Sequence, residues 1–145
     1  MPAFSLPAFL RALLVWLLII FVESAQGALR RALARPELDF AIRQVSVLIS
    51  VVIIFAITWI LMRWMRPGSR TAALAVGAMW LGLTLAFEVA LGRALGLRLD
   101  QILVDYDVTR GGMMPLGLLA MALTPWIVQI LQDRTRADGP RRPSA

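Results

Sequence analysis

The chain contains four long apolar runs, and these constrain its fold more than any other feature. They cover residues 7–29, 45–62, 71–91 and 113–131. Each is close to the roughly 20 residues that an α-helix needs to cross the hydrocarbon core of a membrane. A backbone in lipid finds no water to bond, so a spanning segment of this kind is expected to be helical. The sequence therefore predicts an all-α fold, a bundle of four transmembrane helices within residues 1–132.

The composition agrees with a membrane location and narrows the chemistry. Of 145 residues, 59% are hydrophobic and 17% are charged, whereas a soluble domain has about a quarter of its residues charged. The chain has no Cys and no His, which excludes disulfides, thiolate nucleophiles and the usual zinc and haem ligands. We therefore expect no cofactor, no metal site and no enzymatic activity. A membrane-embedded enzyme that acts on lipid through Asp and Arg is the alternative left open.

The basic residues are all Arg, and the formal net charge is +6. Most of them stand beside or between the apolar runs, where they are typical of topology signals and headgroup contacts. Nucleic acid is therefore not an expected partner. The side that carries both termini has the larger excess of positive charge, which favours a bacterial inner membrane protein with both termini in the cytoplasm.

The two ends of the chain carry separate predictions. Residues 133–145 are rich in Arg and Pro and are expected to form a disordered tail. The first apolar run could alternatively be a signal peptide that is cleaved after Ser24, but Glu23 is unfavourable at such a site.

A long connection separates the third and fourth runs. Within it, Asp100 is a candidate cap for a short helix whose apolar side would hold Leu99, Ile102, Leu103 and Tyr106. Such a helix is expected to lie flat at the membrane surface.

Similar residues recur in the two halves of the chain at a nearly constant spacing. The matched pairs are Trp16 with Trp80, Glu23 with Glu88, and Gly27 with Gly92. They predict two duplicated helical hairpins related by a pseudo-two-fold axis along the membrane normal. The alternative explanation is that Trp recurs near helix ends because it suits the membrane interface.

Polar side chains are predicted to gather at one membrane face, because the first and third helices end there and the second and fourth begin there. This cluster comprises Glu23, Gln26, Arg30, Arg43, Glu88, Arg93, Asp105, Tyr106, Asp107 and Arg110. Carboxylates at membrane depth tend to pair or to face a cavity. They could carry protons or bind a cation, and the Arg could hold an anionic headgroup. In the alternative reading, Glu23 and Glu88 pair with Arg43 and Arg110 and hold the bundle closed.

The third helix also carries a stripe of small residues at every fourth position. It consists of Ala78, Gly82, Ala86 and Ala90. Small side chains let a second helix approach closely. We expect this stripe to pack within the chain, and a seam between two copies is the alternative.

Several segments of the second half resemble small, uncharacterised bacterial membrane proteins of four helices. They are the run from Trp80 to Glu88, Gly92-Arg93, Asp105-Tyr106-Asp107, Gly111-Gly112 and the segment 115–118. The resemblance covers mainly this half and is weaker around Glu23 and Gly27. The resemblance implies the four-helix fold and does not imply an activity.

Together these features favour a non-enzymatic integral membrane protein. We expect a subunit or accessory protein that binds a membrane protein partner, a second copy of itself, or a lipid through the polar cluster. The alternative is a small dimeric proton-coupled transporter that uses Glu23 and Glu88, and it requires both carboxylates to face one water-filled cavity.

Overall fold

The computed structural model describes residues 6–33, 39–103, 106–110 and 112–137. Within these ranges the chain is helical and has no strand. The elements are α1 (Leu6–Leu33), α2 (Asp39–Met65), α3 (Arg70–Ala94), α4 (Leu99–Leu103), a 3-10 turn (Val108–Arg110) and α5 (Met114–Ala137). The four long helices are each long and apolar enough to cross a membrane. The predicted all-α four-helix bundle is therefore confirmed, and the chain has the architecture of a multi-pass membrane protein.

The four long helices form a ring of neighbours. Helix α1 contacts α2 and α3, and α5 contacts the same two helices from the other side. The core between them is apolar and includes Val15, Ile19, Ile54 and Val128. Large apolar side chains such as Ile60 also cover the outer surface, as expected for helices that face lipid.

Helices α3 and α5 approach each other closely at Gly77. A Cβ atom built on Gly77 would lie 1.8 Å from the carbonyl oxygen of Ala122, so only a glycine allows the two backbones to come this near. The predicted stripe of Ala78, Gly82, Ala86 and Ala90 lies on the exposed side of the same helix. A Cβ atom on Gly82 would meet nothing within 4 Å. Contrary to the prediction, the stripe does not pack against any other described part of the chain.

Two buried tryptophans join α1 to α3. The indole Nε1 of Trp80 donates to the carbonyl oxygen of Ala12 at 2.9 Å, and that of Trp16 donates to Thr84 Oγ1 at 3.0 Å. Trp16 bonds to Thr84, which is four residues after Trp80. A two-fold axis that exchanges Trp16 with Trp80 would require the equivalent contact of Trp80 with Ile20, four residues after Trp16. The contact between α1 and α3 therefore departs from the symmetry that the matched residues predict, and the duplication stays a prediction about the sequence.

The end of α3 turns the chain into α4 through a Schellman motif. Gly96 has a positive φ of 77°, and the amides of Gly96 and Leu97 donate to the carbonyl oxygens of Arg93 and Gly92, which closes the helix end. The predicted short helix is present. Asp100 is not its N-cap. The Gln101 side-chain oxygen accepts a hydrogen bond from the backbone amide of Arg98 at 2.9 Å, as the third residue of a helix does for the N-cap in a capping box. Arg98 is therefore the N-cap.

Helix α5 continues past the predicted end of the fourth span. Residues 133–137 are helical, and Asp133 accepts hydrogen bonds from Arg70 Nε at 3.3 Å and Gln129 Nε2 at 3.0 Å. The prediction of a disordered tail is therefore wrong for residues 133–137. Residues 138–145 lie outside the described part of the chain.

Candidate functional site

A cavity of about 550 Å³ lies between the four long helices, toward the end of the bundle where α1 and α3 finish. Its polar lining consists of Glu23, Ser24, Gln26, Arg30, Ser46, Ser50, Thr84 and Glu88. Its apolar lining includes Ile20, Ile54, Phe87, Leu91, Met113, Met114, Leu118 and Met121. The volume falls within the range of roughly 300–1,000 Å³ that is usual for small-ligand sites.

Helical spacing explains why α1 presents its polar residues together. Glu23, Gln26 and Arg30 are separated by three and four positions, so they share one face of the helix. On α2, Ser46 and Ser50 are one turn apart and face the same cavity. The two polar faces meet, and the rest of both helices can stay apolar toward lipid and core.

The best-defined contact in the cavity joins α1 to α2. Ser50 Oγ lies 2.6 Å from Glu23 Oε2 and 2.8 Å from Gln26 Oε1. Gln26 Nε2 donates to the backbone carbonyl oxygen of Ser46 at 3.1 Å. Glu23 Oε1 is buried and has no hydrogen-bond partner among the described atoms. The hydrogen bonds therefore connect three side chains and one carbonyl, and leave one carboxyl oxygen unbonded.

The expected depths of Arg30 and Glu23 in the membrane follow from their positions along α1. The first apolar run of the sequence ends at Leu29 and is followed directly by Arg30, a position typical of an Arg near the membrane surface. Glu23 is seven residues earlier and therefore about 10 Å deeper. Among the described residues, no ion pair involves Arg30. The cavity thus combines a cationic group near its surface end with hydrogen-bonding groups further in.

Helix α3 supplies the opposite wall and the inner end. Thr84 and Glu88 are one turn apart and both line the cavity. Thr84 is also the acceptor for the buried indole of Trp16. The buried Trp16 and Trp80 therefore lie beneath the cavity and close the bundle at its inner end.

The structure brings part of the predicted polar cluster together. Glu23, Gln26, Arg30 and Glu88 surround the cavity. Arg93 is exposed, and neither it nor the half-buried Tyr106 and Asp107 belongs to the cavity lining. Asp105 and the side chains of Arg43 and Arg110 lie outside the described part of the chain. The alternative pairing of Glu23 and Glu88 with those two Arg therefore stays a prediction.

Sequence reasoning missed Ser46 and Ser50 on α2 and the three methionines of the cavity wall. The serines had a readable signal, because two polar residues one turn apart on an otherwise apolar helix mark its inward face. The methionines had none, since Met113, Met114 and Met121 are equally suited to core or lipid. The cavity they line is a product of how the helices pack.

No family model, curated protein or solved structure matches this chain. The resemblance to small bacterial membrane proteins of four helices stays a prediction from the residues. The function therefore has to be argued from the cavity.

Proposed function

We propose that this protein is a non-enzymatic integral membrane protein, a subunit or accessory protein, that binds a lipid with an anionic headgroup in the cavity between its helices. The observation that carries the proposal is the order of chemistry along the cavity. Arg30, which directly follows the first apolar run, lines the cavity together with hydrogen-bonding side chains that lie earlier on α1, and an apolar wall completes the lining. A lipid presents its phosphate, its ester groups and its acyl chain in the same order.

The headgroup end of this proposal depends on Arg30. A planar guanidinium binds a phosphate through two parallel charge-assisted hydrogen bonds. Among the described side chains, Arg30 forms no ion pair. The second amide hydrogen of Gln26 and the hydroxyl of Ser46 offer the weaker hydrogen bonds that ester oxygens accept.

The acyl end depends on the apolar wall. Phe87, Leu118 and Met121 provide a surface that a hydrocarbon chain can cover. Methionine side chains are unbranched and polarisable, so they adapt to chains of different shape. Such a wall favours a lipid over a rigid polar ligand.

The first test is to remove the charge of Arg30. We expect Arg30→Gln to weaken binding of an anionic phosphatidylglycerol by at least about tenfold, because a hydrogen bond to a charged group contributes about 1.5–3 kcal/mol. The full-length protein in maltoside micelles would be titrated with the lipid, and bound copies counted by native mass spectrometry. Arg93→Gln is the matched control, since Arg93 is an exposed Arg near the same end of the bundle and does not line the cavity.

Equal lipid binding by Arg30→Gln and the wild type would contradict the proposal. Equal losses in both variants would show that general surface charge, and not the cavity, attracts the lipid. Neutral or zwitterionic lipids are expected to bind more weakly than the anionic lipid.

One observation favours a second function. Glu23 and Glu88 line the same cavity, which is the arrangement that a small proton-coupled transporter with these two carboxylates requires. In this reading Glu88→Gln abolishes substrate flux into proteoliposomes under a pH gradient and leaves the melting temperature unchanged. Flux that survives the substitution would remove this alternative.

The location of the protein belongs to the same proposal. Four apolar helices support a multi-pass membrane protein. We place it in a bacterial inner membrane, with both termini in the cytoplasm, on the larger net positive charge of the side that carries the termini and the second loop. The cavity would then open away from the cytoplasm, and a membrane protein partner or a second copy would bind at the lipid-facing surface.

A further inference from the structure

The hydrogen bonds of the cavity fix the position of a proton. Ser50 Oγ contacts two oxygen atoms, Glu23 Oε2 at 2.6 Å and Gln26 Oε1 at 2.8 Å. A hydroxyl group has one proton to donate. It can serve as donor in one of these contacts, and the second contact needs a proton from elsewhere.

The orientation of the Gln26 amide decides in which of the two contacts the Ser50 hydroxyl is the donor. Gln26 Nε2 donates to the Ser46 carbonyl oxygen at 3.1 Å. Reversing the amide would set its oxygen against that carbonyl, so two acceptors would face each other without a proton. With the amide fixed, Gln26 Oε1 must accept from Ser50. The proton between Ser50 and Glu23 then comes from the carboxyl group.

The surroundings of Glu23 agree with a neutral acid. Its second oxygen, Oε1, is buried, and burial of an ionised carboxylate at membrane depth is costly. The charged groups that share the cavity are Arg30 on α1, about 10 Å nearer the surface, and Glu88 on α3. The described cavity residues of α2 and α5 carry no charge.

We infer that Glu23 is a proton-binding site and carries a proton in this arrangement of hydrogen bonds. The proton begins a directed chain in which Glu23 donates to Ser50, Ser50 donates to Gln26, and Gln26 donates to the Ser46 carbonyl. Loss of the proton reverses the first step: Ser50 turns its hydroxyl to the carboxylate, and Gln26 Oε1 loses its donor. Protonation of Glu23 is thereby coupled to the contact between α1 and α2.

This inference concerns the same cavity as the proposed lipid site but does not depend on lipid binding. The test is infrared spectroscopy of the delipidated full-length protein at neutral pH in maltoside micelles, since neither the sample nor the detergent then contributes an ester carbonyl band. A solvent-exposed glutamate is ionised under these conditions. We expect the carbonyl stretch of a carboxylic acid in the wild type, its loss in Glu23→Gln and its retention in Glu88→Gln.

A second variant assigns the band even if Glu23→Gln does not fold. Ser50→Ala removes the acceptor of the carboxyl proton, so the acid band is expected to move to higher frequency. Absence of an acid band in the wild type would overturn the inference. So would loss of the band in Glu88→Gln, or an unchanged band frequency in Ser50→Ala. A protein that shows the band but binds no lipid would contradict the proposed function alone.

Discussion

The Gly77→Ala substitution should be the most destabilising single-methyl change in the bundle. The added Cβ would lie 1.8 Å from the Ala122 carbonyl oxygen, and this atom belongs to the backbone, so no side-chain rotation relieves the clash. Helices α3 and α5 must separate along the contact. We expect a loss of at least about 3 kcal/mol, at the upper end of the usual range for overpacking, seen as a lower melting temperature in detergent micelles.

Gly82→Ala is the matched control on the same helix. Its Cβ meets nothing within 4 Å, and Ala is preferred to Gly within a helix by about 1 kcal/mol. The control should therefore match or slightly exceed the wild-type melting temperature. Equal melting temperatures for the two variants would contradict the close approach of α3 and α5.

The Gly117→Leu substitution should abolish lipid binding without unfolding the protein. Gly117 lines the cavity, and a Cβ at this position would meet nothing within 4 Å. We expect a leucine at this position to extend into the cavity and occupy the space proposed for the acyl chain. Leu is also a better helix former than Gly, so the melting temperature should not fall. Native mass spectrometry should show no retained lipid.

The smaller Gly117→Ala variant is the control at the same position. One methyl group leaves most of the cavity open, so lipid retention should persist. A Gly117→Leu protein that retains lipid as the wild type does would place the lipid on the outer surface of the bundle. A Gly117→Leu protein with a lowered melting temperature would show that the cavity is smaller than described.

The fold was predictable from the sequence because lipid restricts the choice of structure. A run such as residues 45–62, with no charge at all, has few options other than a spanning helix. The ends of the helices were less predictable, because residues beyond an apolar run can still favour the helical conformation. The Asp133 side chain, for example, is bonded to Arg70 and Gln129 in a helix that was expected to have ended.

The candidate site was predictable in part. The face of α1 that holds Glu23, Gln26 and Arg30 follows from helical spacing alone. That Ser50 would bond to Glu23 could not be read from the sequence, because it depends on the register between two helices. For the same reason Gly77, and not the stripe around Gly82, makes the close helix contact. Both residues suit a helix interface, and only the packing of α3 against α5 distinguishes them.

The most direct test of the account is to locate a lipid in the cavity. The full-length protein would be crystallised in a lipidic mesophase that contains phosphatidylglycerol brominated on its acyl chain, and the bromine atoms located by anomalous scattering. We expect bromine beside Phe87 and Met121 and a phosphate within hydrogen-bond distance of the Arg30 guanidinium. Bromine found only along the outer surface of the helices, with the cavity holding water, would contradict it.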